Sequence, residues 1–250
     1  MGNDMTCAIV AAAQVQPGMR VLDIACGTGE PAISLAAALA GDGEVVGVDI
    51  SPAPLKIAEE RAKQRSLPNV IFRQADAHDL SFADSSFDCI TSRLGVMFFS
   101  DLPRALSEMH RVLKPAGRAI LLVWGPMDQP YFQTTIGTIL RMLPAAIVPE
   151  SGRKMFALGN KGVLSQALRD AGFSQVDEER VTVPWTWVGT PEQVWAYFQD
   201  VAVPFASFLQ SVPADKRAEI DAAVLKAINQ YYDGTSIKFT AKVNIAIAVK

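Results

Sequence analysis

The stretch VLDIACGTGE, residues 21–30, decides the fold of this 250-residue chain. Its first five residues are apolar apart from one aspartate, which predicts a buried strand. Gly27 and Gly29 follow, and glycines permit a tight turn in which the backbone approaches a ligand closely. Pro31 then opens an alanine- and leucine-rich run to Ala40, which predicts a helix whose first N–H groups face an electron-rich ligand.

A second acidic residue, besides the aspartate of the first strand, is placed to bind a ligand at the glycine turn. Asp49 ends the next predicted strand, Glu44–Ile50, and lies twenty residues after Gly29. A carboxylate in this position accepts hydrogen bonds from ribose hydroxyls, so a nucleoside-containing cofactor is implied. The glycine spacing also satisfies a looser dinucleotide fingerprint, which leaves a nicotinamide cofactor open. Asp23 inside the first strand favours instead a cationic sulfonium with its ammonium group.

Strand and helix signals alternate over the first half of the chain, which predicts a parallel α/β sheet. The further strands are expected at 70–74, 87–92 and 118–124, and the further helices at 54–65 and 101–113. Beyond residue 125, helical stretches are expected at 132–143, 161–171 and 191–232, with strands at 176–187 and 236–249. About 17 residues precede the first strand and leave room for one short helix, Met5–Gln14.

Composition excludes several classes of function. The net charge of −3 gives no basic surface for a nucleic acid. Three cysteines are too few and too irregularly spaced for a disulfide framework or a zinc site, and no metal is expected. The N-terminus has no signal-peptide pattern, and the apolar run Ala119–Trp124 is too short to cross a membrane. These features predict a cytoplasmic protein that does not bind nucleic acid, and they leave its oligomeric state undetermined.

Four segments in order resemble the class I S-adenosylmethionine-dependent methyltransferases. They are residues 21–29, 46–51, 74–77 and 111–118, within a match over about residues 17–125. The similarity is to the group that includes the quinone-biosynthesis C-methyltransferases and many small-molecule methyltransferases. It implies a Rossmann-like sheet of seven strands, mostly parallel, with the last strand antiparallel.

The resemblance also implies a division of the chain. Residues 1–125 form the S-adenosylmethionine-binding core, and residues 126–250 hold its final helix and antiparallel strand pair. Helical cap insertions are expected at about residues 126–160 and 190–234. Their aromatic and methionine side chains suit an apolar pocket.

For the methionine end of the cofactor, the resemblance implies five residues. Asp23 organises this end, the backbone around Ala25 and Gly27 contacts the amino and carboxylate groups, and Gly29 is a further cofactor-binding residue of the same turn. The backbone at Arg93 closes the same side.

For the adenosine end, the resemblance implies five more. Asp49 binds the ribose, while Ile50 and Leu55 pack on the adenine face. Asp76 accepts a hydrogen bond from the adenine amino group, beside the N–H of Ala77.

The methyl acceptor is expected to be small and apolar or aromatic, and methylation at oxygen, nitrogen or carbon stays open. Met97, Phe98 and Trp124 are expected to line its pocket. His78 is the candidate for a general base, whereas His110 is explained by its place near a helix end. Two other functions stay open: a non-catalytic S-adenosylmethionine-binding partner and a nicotinamide-dependent oxidoreductase.

Overall fold

The computed structural model describes residues 3–250, and these form one seven-stranded sheet flanked by helices. The strands are β1 Arg20–Ile24, β2 Glu44–Asp49, β3 Val70–Gln74, β4 Phe87–Arg93, β5 Leu113–Trp124, β6 Ser174–Val188 and β7 Ser236–Val249. Their order across the sheet is β3-β2-β1-β4-β5-β7-β6.

Helices fill the connections between the strands. Those in the first half of the chain are α1 Asn3–Ala13, α2 Ala32–Ala38, α3 Pro52–Gln64 and α4 Leu102–Val112. Those in the second half are α5 Pro130–Thr134, α6 Ile136–Met142, α7 Glu150–Lys154, α8 Val163–Asp170, α9 Pro191–Val201, α10 Ala206–Gln210 and α11 Ala214–Asn229.

The strand directions confirm the predicted Rossmann-like topology. β1 runs parallel to both of its neighbours, with Leu22 opposite Val46 on β2 and Ile90 on β4. The chain end runs the other way beside the start of β5: Ala116 N–H donates to the Lys250 carbonyl (3.2 Å), and Lys250 N–H donates to the Gly117 carbonyl (3.0 Å). β7 is therefore the antiparallel strand of the sheet.

The centre of the sheet is apolar on both faces, as the strand sequences require. Val21, Leu22, Val45, Val46 and Ile90 are all fully buried. The connections reverse direction between β1 and β4, which opens a crevice at the carboxyl ends of the strands. The ligand site is expected at this crevice.

Two helical predictions were wrong in detail. The stretch 132–143 is two helices, α5 and α6, because the chain breaks at Thr135 (φ −99°, ψ −92°). The Thr135 hydroxyl donates to the Tyr131 carbonyl at 2.7 Å, and such local bonds compete with the helical pattern. The stretch 191–232 likewise divides into α9, α10 and α11, with a 3-10 turn at Val203–Phe205.

The chain packs into two compact units. The sheet unit comprises Asn3–Val123, Asn160–Val181 and Asn244–Lys250, and the aromatic unit comprises Trp124–Gly159 and Thr182–Val243. Within residues 3–250 no helix combines the length and the apolar character needed to cross a membrane.

Candidate cofactor site

A cavity of about 390 Å³ lies in the sheet unit, where β1 to β4 end. This volume falls in the range of small-molecule sites. Seven of its lining residues were predicted from the sequence as site residues: Ala25, Asp49, Ile50, Asp76, Ala77, His78 and Phe98. The other seven are Ile24, Val48, Ala75, Leu94, Gly95, Phe99 and Ser100.

Asp49 ties the glycine turn to the end of β2. Its Oδ2 accepts from the Gly27 N–H and its Oδ1 from the Ser51 N–H, both at 2.9 Å. The Gly27 amide is therefore already used within the protein. A carboxylate has about four acceptor positions, so Asp49 retains capacity for the hydroxyls of a ligand.

Asp76 is held by the residue two positions later. Its Oδ1 accepts from the His78 backbone N–H (2.9 Å) and lies 2.5 Å from His78 Nδ1. These bonds from His78 lower the pKa of the Asp76 carboxyl below its ordinary value. Asp76 is therefore an ionised group that accepts hydrogen bonds and donates none.

Asp23 is fully buried and bonded within the protein. Its Oδ1 accepts from the Thr91 hydroxyl (2.8 Å), and its Oδ2 accepts from the Ala32 N–H at the start of α2 (3.1 Å). Burial raises the pKa of this carboxyl to about 7, although both hydrogen bonds oppose the increase. The first N–H groups of this helix were predicted to face a ligand. That prediction was wrong for the Ala32 N–H, which is already bonded to Asp23.

Two polar atoms at the end of β4 have no hydrogen-bond partner among residues 3–250. They are the Oγ of Ser92 and the Nε of Arg93, both buried. Burial lowers the pKa of the Arg93 guanidinium, while attraction from Asp23 and Glu30 opposes that change. Buried polar atoms without partners are costly, so these two point to a ligand at this strand end.

Two glycines allow close approaches at the site. A Cβ on Gly95 would lie 2.5 Å from the Ala25 Cβ and 2.7 Å from Ser92 Oγ. A Cβ on Gly29, whose φ is +105°, would lie 2.6 Å from the Ile33 Cδ1. The ends of β1 and β4 therefore meet closely enough that Gly95 admits no side chain, a constraint the sequence did not reveal.

Apolar side chains flank the mouth of the cavity. Ile50 is 64% exposed and Phe98 is 54% exposed, which is high for large apolar residues. Phe98, predicted for the acceptor pocket, thus lines the same cavity as Asp49 and Asp76.

Seven of the predicted residues do not line this cavity, and six of these belong to the sheet unit. Leu55 is buried within α3 and Met97 within the 3-10 turn after β4. Asp23, Gly27, Gly29 and Arg93 belong to the adjoining turn and strand ends.

Trp124 lies in the aromatic unit among other rings. Its ring centroid is 5.4 Å from that of Phe132 and 5.2 Å from that of Trp185. Tyr131 contacts four rings of the same unit, including those of Phe132 and Trp185. Burial raises the pKa of the Tyr131 phenol above its ordinary value, so this hydroxyl remains a donor.

Comparisons with known proteins identify the family to which this chain is similar. Residues 21–117 match the family described as "Methyltransferase domain". The chain is 34% identical over 184 residues to a demethylmenaquinone methyltransferase of Geobacillus kaustophilus, covering 67% of this chain and 76% of that protein.

Two further relatives extend the comparison. Over 120 residues the chain is 39% identical to a 2-phytyl-1,4-naphthoquinone methyltransferase of Nostoc sp., covering 48% of this chain and 52% of that protein. The crystal structure of the YcgJ protein from Bacillus subtilis is similar in fold, with a TM-score of 0.60 and 22% identity, covering 98% and 97% of the two chains.

Proposed function

This chain belongs to the class I S-adenosylmethionine-dependent methyltransferases, and we propose that it methylates an aromatic acceptor of the hydroquinone type. S-Adenosylmethionine is the methyl donor and S-adenosylhomocysteine the product. Membership of this family removes the nicotinamide-dependent alternative, and the intact acidic positions argue against a merely structural partner. The single structural observation that supports S-adenosylmethionine as the methyl donor is the cavity bounded by Asp49 and Asp76.

The residues of this cavity fit an adenosine group. Asp49 would accept from the ribose hydroxyls with the capacity left after its bonds to Gly27 and Ser51. Asp76 would accept from the adenine amino group. Ile50 and Phe98 supply exposed apolar surface for the faces of the base.

The end of β4 fits the methionine part of the cofactor. The buried Arg93 Nε would donate to the carboxylate of this methionine part. The Oγ of the preceding residue, Ser92, is a second buried polar atom without a hydrogen-bond partner among the described residues. Asp23 would lie near the ammonium group, whose positive charge favours the ionised form of this carboxyl. When bound, the cofactor supplies an activated methyl group on a sulfonium.

The protein's own task is positioning. Binding energy at both ends of the cofactor fixes the reacting carbon, and apolar surroundings exclude water from it. His78 is poorly suited to accept a proton from the acceptor. Its Nδ1 lies 2.5 Å from Asp76 Oδ1, and its Nε2 accepts from the Asp101 N–H at 3.2 Å, so both ring nitrogens are engaged.

Support for the acceptor class comes from the relatives and from the aromatic unit. The relatives are named for demethylmenaquinone and a phytyl naphthoquinone. The aromatic unit concentrates rings around Tyr131, whose hydroxyl keeps its proton because burial raises the pKa of the phenol. Stacked rings and a phenolic donor suit an aromatic ring that carries oxygen.

A methyl-transfer assay tests this proposal. Purified protein is incubated with methyl-labelled S-adenosylmethionine and either 1,4-naphthohydroquinone, a catechol or an aromatic amine under reducing conditions. We expect labelled product from the naphthohydroquinone, with the mass of one added methyl group. Transfer only to the amine, or no transfer by protein that binds S-adenosylhomocysteine, would contradict the acceptor assignment.

A further inference from the structure

His78 connects two segments that border the cavity but lie far apart in sequence. On one side it donates from its backbone N–H to Asp76 Oδ1, with its Nδ1 at 2.5 Å from the same oxygen. On the other side, its Nε2 accepts from the Asp101 N–H. Because Nε2 is the acceptor, the ring proton lies on Nδ1 and is donated to Asp76.

The Asp101 side of this connection is itself fixed. Asp101 is the N-cap of α4, where its Oδ1 accepts from the Arg104 N–H at 3.1 Å. Arg104 Nε in turn donates to the His78 carbonyl at 2.8 Å. The imidazole also meets the edge of Phe99, with ring centroids 5.7 Å apart. His78 is thus anchored to α4 by its ring and its backbone, and only 16% of its side chain is exposed.

This arrangement leaves Asp76 with one occupied and one available oxygen. Oδ1 takes both bonds from His78, whereas Oδ2 takes no hydrogen bond from any residue in the range 3–250. An ionised carboxylate oxygen attracts an N–H group and repels a carbonyl oxygen. The side chain is therefore suited to distinguish an amino substituent from a keto substituent on a purine ring.

We propose that His78 is a positioning residue that orients Asp76 so that its free oxygen selects the adenine amino group of the cofactor. This inference rests on the proposed function, since it places adenine in the cavity. It assigns His78 to cofactor discrimination rather than to proton transfer. If the Asp76 side chain were not held in one orientation, the cavity would still bind the base through apolar contacts. It would, however, lose its preference for the amino group.

The test compares two ligands that differ only on the purine. S-Adenosylhomocysteine carries the amino group, and S-inosylhomocysteine carries a carbonyl there. Calorimetric titration of the wild-type protein is expected to give at least about tenfold tighter binding of S-adenosylhomocysteine, as for a hydrogen bond to a charged group. In His78→Ala and His78→Phe this preference is expected to fall to about threefold or less, mainly through weaker S-adenosylhomocysteine binding.

Two variants sharpen the comparison. His78→Asn retains a short N–H donor toward Asp76 and is expected to recover most of the preference. His110→Ala removes the other histidine, which packs against Phe173, and is expected to keep the wild-type preference. His78→Phe keeps the ring contact with Phe99, so it serves if His78→Ala does not fold.

The possible outcomes distinguish a failure of this inference from a failure of the proposed function. Equal weakening of both ligands in the His78 variants would show a merely structural role, and an unchanged preference would show no role; either overturns the proposal. Equal binding of both ligands by the wild-type protein would overturn the Asp76 contact. Binding of neither ligand would overturn the proposed function itself.

Discussion

Between about pH 4 and pH 7, the free energy of unfolding of the wild-type protein is expected to fall by about 4 kcal/mol relative to that of Asp23→Asn. The cause is the burial of Asp23, which raises the pKa of its carboxyl from 3.8 to about 7. The folded protein therefore holds a proton that the unfolded chain has released over this range. Stability from this group is fully present below pH 3.8 and is lost as the pH rises toward 7.

The neighbouring groups do not reverse this direction. The hydrogen bonds from Thr91 and Ala32 and the charge of Arg93 lower the pKa of Asp23, while the charge of Glu30 raises it, and burial outweighs the lowering contributions. An asparagine keeps the shape and one acceptor but does not titrate. Because only the pH dependence is compared, the cost of replacing a buried acceptor cancels to first order.

Chemical denaturation at several pH values measures this effect. Asp42→Asn is the control, because Asp42 is exposed and its hydrogen bonds within the described residues involve only its backbone N–H and carbonyl. Its unfolding free energy is expected to follow that of the wild-type protein across the range. Parallel pH profiles for the wild-type protein and Asp23→Asn would contradict the account of Asp23.

Replacing Asp49 by alanine is expected to weaken S-adenosylhomocysteine binding by about tenfold to 100-fold, as for the loss of hydrogen bonds to a charged group. The substitution removes the carboxylate that would receive the ribose hydroxyls. It also releases the Gly27 N–H, which donates to Asp49 Oδ2 at 2.9 Å, and so loosens the glycine turn. Both changes act on the same ligand, so the effect exceeds that of one exposed contact.

Calorimetric titration gives the affinities directly. Asp42→Ala removes a carboxylate from an exposed turn and is expected to bind like the wild-type protein. Asp49→Asn keeps an acceptor for the Gly27 N–H and is expected to lie between the wild-type protein and Asp49→Ala. An Asp49→Ala affinity within about twofold of the wild-type value would remove Asp49 from the ribose site.

Much of the sheet and part of the cavity could be predicted because their signals are local. The alternating strands and helices place the acidic residues at consecutive strand ends, and parallel strands bring those ends to one edge. Asp49 and Asp76 accordingly line one cavity. The break at Thr135 escaped prediction, because it depends on a hydroxyl bond within one turn rather than on apolar spacing.

The unpredicted features depend on contacts between distant segments. Asp23 meets Thr91 because β1 and β4 pair in a register that sequence spacing does not specify. Gly95 lies against Ala25 for the same reason. The bond from Asp101 to His78 joins a loop to a helix cap, and neither residue type signals it alone. The sequence therefore indicated the ligand but not the residues that hold its partners in place.

The most direct test of the account is calorimetric titration of the wild-type protein with S-adenosylhomocysteine and, separately, with NAD. We predict saturable binding of S-adenosylhomocysteine at one site and no measurable binding of NAD. Binding of NAD, or no binding of S-adenosylhomocysteine by the folded protein, would contradict the assignment of the cavity at the ends of β1 to β4.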